Sequence, residues 1–265
     1  MNTIELKAKW KRGEPSPGMW LRLADPTVGE IVHLIGLDWV AIDAEHSALD
    51  LQTLQMMLIA LGDTPTIIRV PGNDPVYIKR ILDMGAAGVI VPQLQSADEV
   101  RLAVASCKYP PEGIRGTGPR RPSQYGDNER EYLATANQQT IACVMIETVG
   151  AVETIDDILS VKGLDAIVIG AVDLSASMGL LPHFDDPRVT AAIDGVIAKA
   201  KRAGVSRMSG RPPAPDDLDG QWSAAGFLRQ GLHIIPVASD ENLIKDGARA
   251  ALKQFNRVTV AQEQP

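Results

Sequence analysis

Short runs rich in Ile, Val and Leu recur along the chain, and an amphipathic stretch follows nearly every one. The runs are MWLRLAD (19–25), WVAID (39–43), TIIRV (66–70), GVIVP (88–92), IACVMIE (141–147), LDAIVIGAVD (164–173), VSRMSG (205–210) and HIIPVAS (233–239). Short apolar runs bounded by turn signals are strands buried on both faces, as in a parallel sheet covered by helices. Between them the spacing predicts helices over about 27–36, from Asp50 to about 62, from Asp74 to Met84, from Ser96 onward, over about 187–203, and after Asp240. Asp74-Pro75 fits an N-cap followed by proline at the first helical position. Eight such units in 265 residues predict an α/β chain folded as a single (β/α)8 TIM barrel, with a short extension before about residue 17. A doubly wound sheet is the alternative, because the seventh run is weak and SGRPPAPDDLDG (209–220) reads as a turn or loop.

Aromatic residues make up only 4% of the chain against 45% apolar, so the core is expected to be mostly Ile, Val, Leu and Ala. A net charge of −7 without a basic cluster argues against nucleic acid and anionic membrane as partners. No apolar run approaches the ~20 residues that span a bilayer. The stretch MNTIELKAKWKRGEP has no apolar signal core. Cys107 and Cys143 have no metal-like spacing and read as reduced packing residues. A soluble, cytoplasmic protein is the expectation.

In a barrel, residues just past the strand ends share one rim, where such enzymes do their chemistry. Here those positions hold Asp43, Glu45 and His46, then Arg69, Pro92-Gln93, Glu147-Thr148, Gly170 to Asp173 and Ser175, and Ser239-Asp240. Plainer readings exist for each. Asp240, Glu147 and Asp173 could cap helices, and Arg69 could sit in a structural ion pair. His33 and His233 read as structural, and His183 as peripheral. It is the convergence of Glu147, Asp173, Arg69 and His46 that points to a site. Glu147 and Asp173 end adjacent strands with no Cys or second His beside them, which suits a hard divalent ion such as Mg2+ or Mn2+. Such an ion would act as a Lewis acid on a carbonyl oxygen. Arg69 offers a positive fork to an enolate or carboxylate, and His46 suits proton transfer through water. The parts describe chemistry at carbon next to a ketone. A Schiff-base route would need a lysine near a strand end. Lys79, Lys199, Lys201, Lys245 and Lys253 read as helical, Lys108 and Lys162 lie on the wrong side, and Lys7, Lys9 and Lys11 precede the barrel.

The segments ADP (24–26), DAEHS (43–47), IIRVP (67–71), ILDMGAAGVIVP (81–92), YPPEGIRGTGPRRPS (109–123), MIET (145–148) and GAVDLSASMG (170–179) together resemble the HpcH/HpaI aldolase family. The resemblance runs in order from about Trp20 to Gly204, and GPRRPS (118–123) is closer to hydroxypyruvate-using members. It implies reversible cleavage of a hydroxy-2-oxo acid to pyruvate or hydroxypyruvate and an aldehyde, by way of a metal-stabilised enolate. Glu147 and Asp173 would bind Mg2+ or Mn2+, with Co2+ or Zn2+ as substitutes. The ion would chelate the 2-oxo acid, which then also lies against Asp173. His46 would be the acid–base, Arg69 would steady the enolate, and backbone at Gly170 and Ala171 would meet the substrate carboxylate. Asp83 matches a residue that orients the histidine. A helix end lies at the bottom of its own barrel, so Asp83 would reach His46 from a neighbouring subunit. The resemblance also implies a final helix swapped between subunits, in a hexamer built as a trimer of dimers. Ala171 stands where proline is usual, and Met145 where many members have glutamine, which removes one substrate hydrogen bond. Two other readings compete: a CoA-ester lyase of the wider citrate-lyase superfamily, and a catalytically silent barrel that binds 2-oxo acids. No evident basic CoA groove supports the first, and the retention of all four groups opposes the second.

Overall fold

The computed structural model describes residues 1–209 and 223–262, with side chains as far as residue 256. Helix α1 (Thr3–Lys11) starts at a capping box, in which Asn2 and Glu5 each accept the other's backbone N–H at 3.0 and 2.9 Å. Strand β1 (Ser16–Leu21) leads to α2 (Pro26–His33), which Asp25 caps ahead of a proline in the first turn. The unit then repeats as β2 (Trp39–Asp43) and α3 (Leu51–Ala60), β3 (Thr66–Arg69) and α4 (Pro75–Asp83), β4 (Gly88–Val91) and α5 (Ala97–Cys107). Asp50, Asp74 and Ser96 cap these helices by accepting a first-turn N–H, as their spacing predicts. A long connection containing a 3-10 turn (Arg121–Gly126) reaches α6 (Glu129–Gln139) and β5 (Ile141–Ile146). Two short helices follow, α7 (Val149–Glu153) and α8 (Ile155–Leu159), then β6 (Ala166–Ile169), α9 (Ala171–Ser177) and α10 (Pro187–Ala203). The chain continues through β7 (Ser206–Ser209), α11 (Ala224–Gln230), β8 (Ile234–Ser239) and α12 (Asp240–Gln262).

The eight strands are parallel, run in sequence order, and close where β1 pairs with β8, from Ser16↔Ile234 to Trp20↔Ser239. Closure removes the open-sheet alternative. Two strand ends differ from the sequence reading. The first strand ends at Leu21, because the N–H groups of Arg22 and Leu23 donate to the Asp240 carboxylate at 2.9–3.1 Å instead of to a ladder. The sixth ends at Ile169, so Asp173 lies in the first turn of α9 and not on a strand. The weak seventh run does form a strand, with all four residues buried and Ala166↔Ser206 to Ile169↔Ser209 in register. Most of SGRPPAPDDLDG falls in 210–222, outside the described residues.

Alternation along the strands splits their side chains between two cores. Val40, Ile42, Ile68, Val89, Val144 and Ile167 pack outward against helices. Trp39, Ala41, Ile67, Ile90, Cys143, Met145 and Val168 fill the interior. The outer layer is aliphatic, as composition predicts, but the interior also holds Trp10, Trp20 and Trp39. The segment before residue 17 is the reason. Helix α1 lies across the floor with Leu6 and Trp10 0% and 1% exposed, and the indole N–H groups of Trp10 and Trp39 donate to the Ser16 hydroxyl and carbonyl at 3.1 Å. Lys7 clips the helix down, donating to the Thr140 carbonyl at 3.0 Å and pairing with Asp165 at 2.9 Å. Each of the two buried apolar side chains stabilises this arrangement by about 1.5–3 kcal/mol.

Candidate active site

The period of two that fills the barrel also decides what reaches its mouth. On β2 the inward positions are Trp39, Ala41 and Asp43; on β3 they are Ile67 and Arg69. Beyond β5 the series Cys143, Met145 ends in Glu147, and beyond β6 the series Ala166, Val168 ends in Gly170. The last inward layer, at the end opposite α1, is therefore Asp43, Arg69, Glu147 and Gly170.

Asp43 and Arg69 are register partners on neighbouring strands. Arg69 Nε donates to Asp43 Oδ1 at 3.0 Å and Nη2 donates to Oδ2, a bidentate pair with Asp43 0% exposed. Arg22 Nε reaches Asp43 Oδ2 at 3.4 Å, and the Trp20 ring lies 5.2 Å from the Arg69 guanidinium. Burial pushes the Asp43 carboxyl up, but Arg69 and the N–H groups of His46 and Glu45 outweigh it and hold Asp43 below its usual range. Those two N–H groups, each 3.2 Å from Oδ1, fold the turn that carries His46. Arg69 is thus in a structural pair, yet its Nη1 is left pointing at the Met145 sulfur, 3.8 Å away.

His46 stands at the mouth with 60% of its side chain exposed, and its Nε2 lies 3.5 Å from Glu45 Oε2. Glu45, not Asp43, is the acid that faces the imidazole. Glu45 also lies 3.3 Å from Arg69 Nε. Its burial raises the Glu45 carboxyl above the usual value against the pull of Arg69 and His46.

Glu147 is 1% exposed. Its Oε1 accepts the Gln93 N–H at 2.7 Å, and Gln93 reaches that position only with φ 60, a left-handed backbone that costs a non-glycine residue roughly 1–2 kcal/mol. Its Oε2 lies over Gly170, where a Cβ would come within 2.7 Å of it. Thr148 accepts the Ala151 N–H at 3.1 Å and so caps α7, which frees Glu147 from that duty. Burial pushes the Glu147 carboxyl up to about 7, and the nearby charges of Asp173 and Glu45 push the same way. Four carboxylates (Asp43, Glu45, Glu147, Asp173) thus face two guanidiniums (Arg22, Arg69) around this mouth. The excess negative charge and all-oxygen donor set of Glu147 and Asp173 fit a hard divalent cation. Among the described residues no group of three or more His, Cys, Asp or Glu could hold a metal, so water and substrate would complete the shell.

The other histidines keep their plain readings. His33 Nδ1 bonds the Thr64 hydroxyl at 2.9 Å, His183 is exposed in the loop after α9, and His233 is 5% exposed at the floor, its pKa lowered by burial and by Arg207. Asp83 pairs with Arg115 at 2.8 Å on the outer wall, so within one chain it does not meet His46. Asp240 ties the end of β1 to the start of α12 instead of serving as an ordinary helix cap. Lys108 is held at the floor by the Asn137 and Thr140 carbonyls at 2.6 and 2.8 Å. Every lysine of the chain is placed on a helix, at a helix end or at the floor. Sequence reasoning gave no role to the Gln93 N–H, Trp20 or Arg22; only a rim position marked Gln93.

Fold and rim define the class: a barrel enzyme whose mouth is built to hold a small, oxygen-rich substrate. Residues 17–246 match the model of the HpcH/HpaI aldolase/citrate lyase family. The chain belongs to that family and is a carbon–carbon lyase. A 4-hydroxy-2-oxo-heptane-1,7-dioate aldolase of Salmonella typhimurium is 38% identical over 250 residues, 92% of each chain. Among solved structures, an HpcH/HpaI aldolase/citrate lyase family protein from Burkholderia cenocepacia superposes with TM-score 0.87 at 30% identity, covering 95% of this chain and 99% of that one. An HpcH/HpaI aldolase from Desulfitobacterium hafniense gives 0.82 at 28%, covering 98% and 97%.

Proposed function

We propose that the protein is a divalent-metal-dependent aldolase that reversibly cleaves a hydroxy-2-oxo acid to pyruvate or hydroxypyruvate and an aldehyde. The observation that carries this is the buried Glu147 carboxylate, held by one oxygen and left with excess negative charge around it. Glu147 and Asp173 would hold the cation, Mg2+ or Mn2+, which when bound supplies a Lewis acid for the keto group. The backbone at Gly170 and Ala171, at the start of α9, would face the substrate carboxylate. Asp43 locks Arg69 in one orientation, so that Nη1 can donate to the oxygen that gains charge as the neighbouring carbon loses its proton. His46 carries that proton at the open mouth, where its Nε2 lies 3.5 Å from Glu45 Oε2. Asp83 would approach His46 from a neighbouring subunit of a hexamer in which α12 is exchanged. The relative named for 4-hydroxy-2-oxo-heptane-1,7-dioate supports the substrate class. No described helix is long and apolar enough to cross a membrane, and the net charge of −7 fits a cytoplasmic enzyme without nucleic-acid or membrane partners.

Pyruvate alone tests the mechanism. Its methyl hydrogens should exchange with deuterated water, and proton NMR can follow the exchange without any aldehyde. A chelator should stop it. His46→Ala should slow it by about 10²–10⁴-fold. Borohydride added with pyruvate should leave the enzyme active. Chelator-resistant exchange together with borohydride inactivation would overturn the proposal in favour of a Schiff base.

A further inference from the structure

Of the two guanidiniums at the mouth, the chemistry proposed above uses only Arg69. Arg22 is the other. Trp20 is in register with Ala41 and Leu21 with Ile42, so the residue after β1 stands in line with Asp43. The head of α12 grips that residue at both ends. At its backbone, the Arg22 N–H donates to the two Asp240 oxygens at 3.1 and 2.9 Å, and the Leu23 N–H donates to one of them at 2.9 Å. Asp240, 3% exposed, also accepts the Glu241 N–H at 2.8 Å. At the far end of the side chain, Arg22 Nη1 lies 3.8 Å from Glu241 Oε2.

From this anchorage Arg22 Nε donates to Asp43 Oδ2 at 3.4 Å. A carboxylate held by one fork alone can turn about its Cβ–Cγ bond and carry the fork with it, because that torsion is broad. Asp43 is held at both oxygens by groups other than the Arg69 fork. The Glu45 and His46 N–H groups fix Oδ1, and among the described residues Arg22 is the one donor outside the fork that reaches Oδ2. With the carboxylate plane fixed, the bidentate Arg69 guanidinium has one orientation, and its Nη1 stays aimed at the Met145 sulfur and not at an acid. As a plain ion pair Arg22 would add little to stability, since its side chain is 30% exposed. Its worth lies in the geometry it imposes.

We infer that Arg22 is a positioning residue: anchored on the head of α12, it fixes the Asp43 carboxylate and thereby aims Arg69 at the oxygen that gains charge. The part Arg69 plays at that oxygen rests on the aldolase reading. The mechanical link from Arg22 to the fork does not.

The test is a double-mutant cycle in the full-length protein supplied with Mg2+, read by exchange of pyruvate methyl hydrogens in deuterated water. Arg22→Met keeps the apolar stem and removes the donor. It should lower kcat about tenfold and change KM less than about twofold, because a mis-aimed fork is felt as charge develops. Arg22→Lys keeps a charged donor and should recover part of the loss. In an Arg69→Lys background no fork remains to be aimed, so adding Arg22→Met should cost little more. Thermal melting checks that each variant folds. Arginine side-chain NMR reads the link without turnover: the Arg69 Nε–H should exchange with water about tenfold faster in Arg22→Met than in the wild type. Additive losses across the cycle, or unchanged exchange of the Arg69 Nε–H, overturn the inference. A loss confined to KM also overturns it and makes Arg22 a substrate contact. Failure of the aldolase reading shows separately, as absent methyl exchange in the wild type, and the NMR measurement then decides the link by itself.

Discussion

Glu147 concentrates the physical tension of the molecule. Its carboxyl titrates near 4.5 when unfolded and at about 7 in the metal-free folded chain. Between those values the folded state holds the extra proton, so metal-free stability should fall as pH rises from about 4.5 to about 7 and then level off. The loss is of order 3 kcal/mol at most. Glu147→Gln removes this titration and should flatten most of the slope, leaving the part that Glu45 contributes; a glutamine oxygen still accepts the Gln93 N–H, so the fold should survive, but tight metal binding should be lost. Urea unfolding at pH 5 and pH 8, with and without Mg2+, reads both effects; an unchanged slope in the variant refutes the assignment. Arg69 carries a second expectation at this scale. Arg69→Lys keeps the charge but not the fork that engages both Asp43 oxygens and leaves Nη1 free. Turnover should drop by about 10²-fold or more. Wild-type kcat would reduce Arg69 to its structural pair.

Among the elements, α1 and the rim make opposite demands on one barrel. The floor is closed by Leu6, Trp10 and Trp39, and the mouth stays open because its inward residues are charged. Trp10→Ala should therefore cost about 3–5 kcal/mol of stability, the usual range for emptying a buried aromatic site. Turnover per folded molecule should stay near wild type, since Trp10 lies at the far end from Glu147. Equal loss of kcat and of unfolding midpoint would show that the two ends are coupled. Local sequence did reveal most elements here: the caps at Asp50, Asp74 and Ser96 and the helix starting at Pro187 fall where the spacing puts them. The segment Gly170-Ala171-Val172-Asp173 was legible as a rim segment but not as a helix start, because the apolar run of the strand before it continues without a break.

For the whole molecule, α12 presents Leu243, Ile244, Leu252 and Phe255 at 52–64% exposure along a 23-residue helix. In a swapped hexamer those side chains would lie against a neighbouring barrel. Leu252→Asp should then shift sedimentation toward smaller species and, because Asp83 would arrive from the neighbour, lower activity as well. An unchanged sedimentation profile would remove α12 from the interface.

The repeat of buried strands and capped helices could be read from the sequence because strand and helix periodicities are local, set by neighbours a few positions apart. The same periodicity placed His46, Arg69 and Glu147 at the ends of strands, and parallel closure brings all such ends to one face. The pairings that turn these residues into a site join distant positions. Asp43 meets Arg69 across 26 residues, Gln93 meets Glu147 across 54, and Asp240 ends β1 across 218. No local propensity encodes such contacts, because parallel strands take their register from the packing of the helices between them. For the same reason α1 reads as an extension in sequence and becomes a floor only once the barrel exists. The Gln93 backbone follows that rule too, since its left-handed turn persists where a buried carboxylate from another strand accepts its N–H.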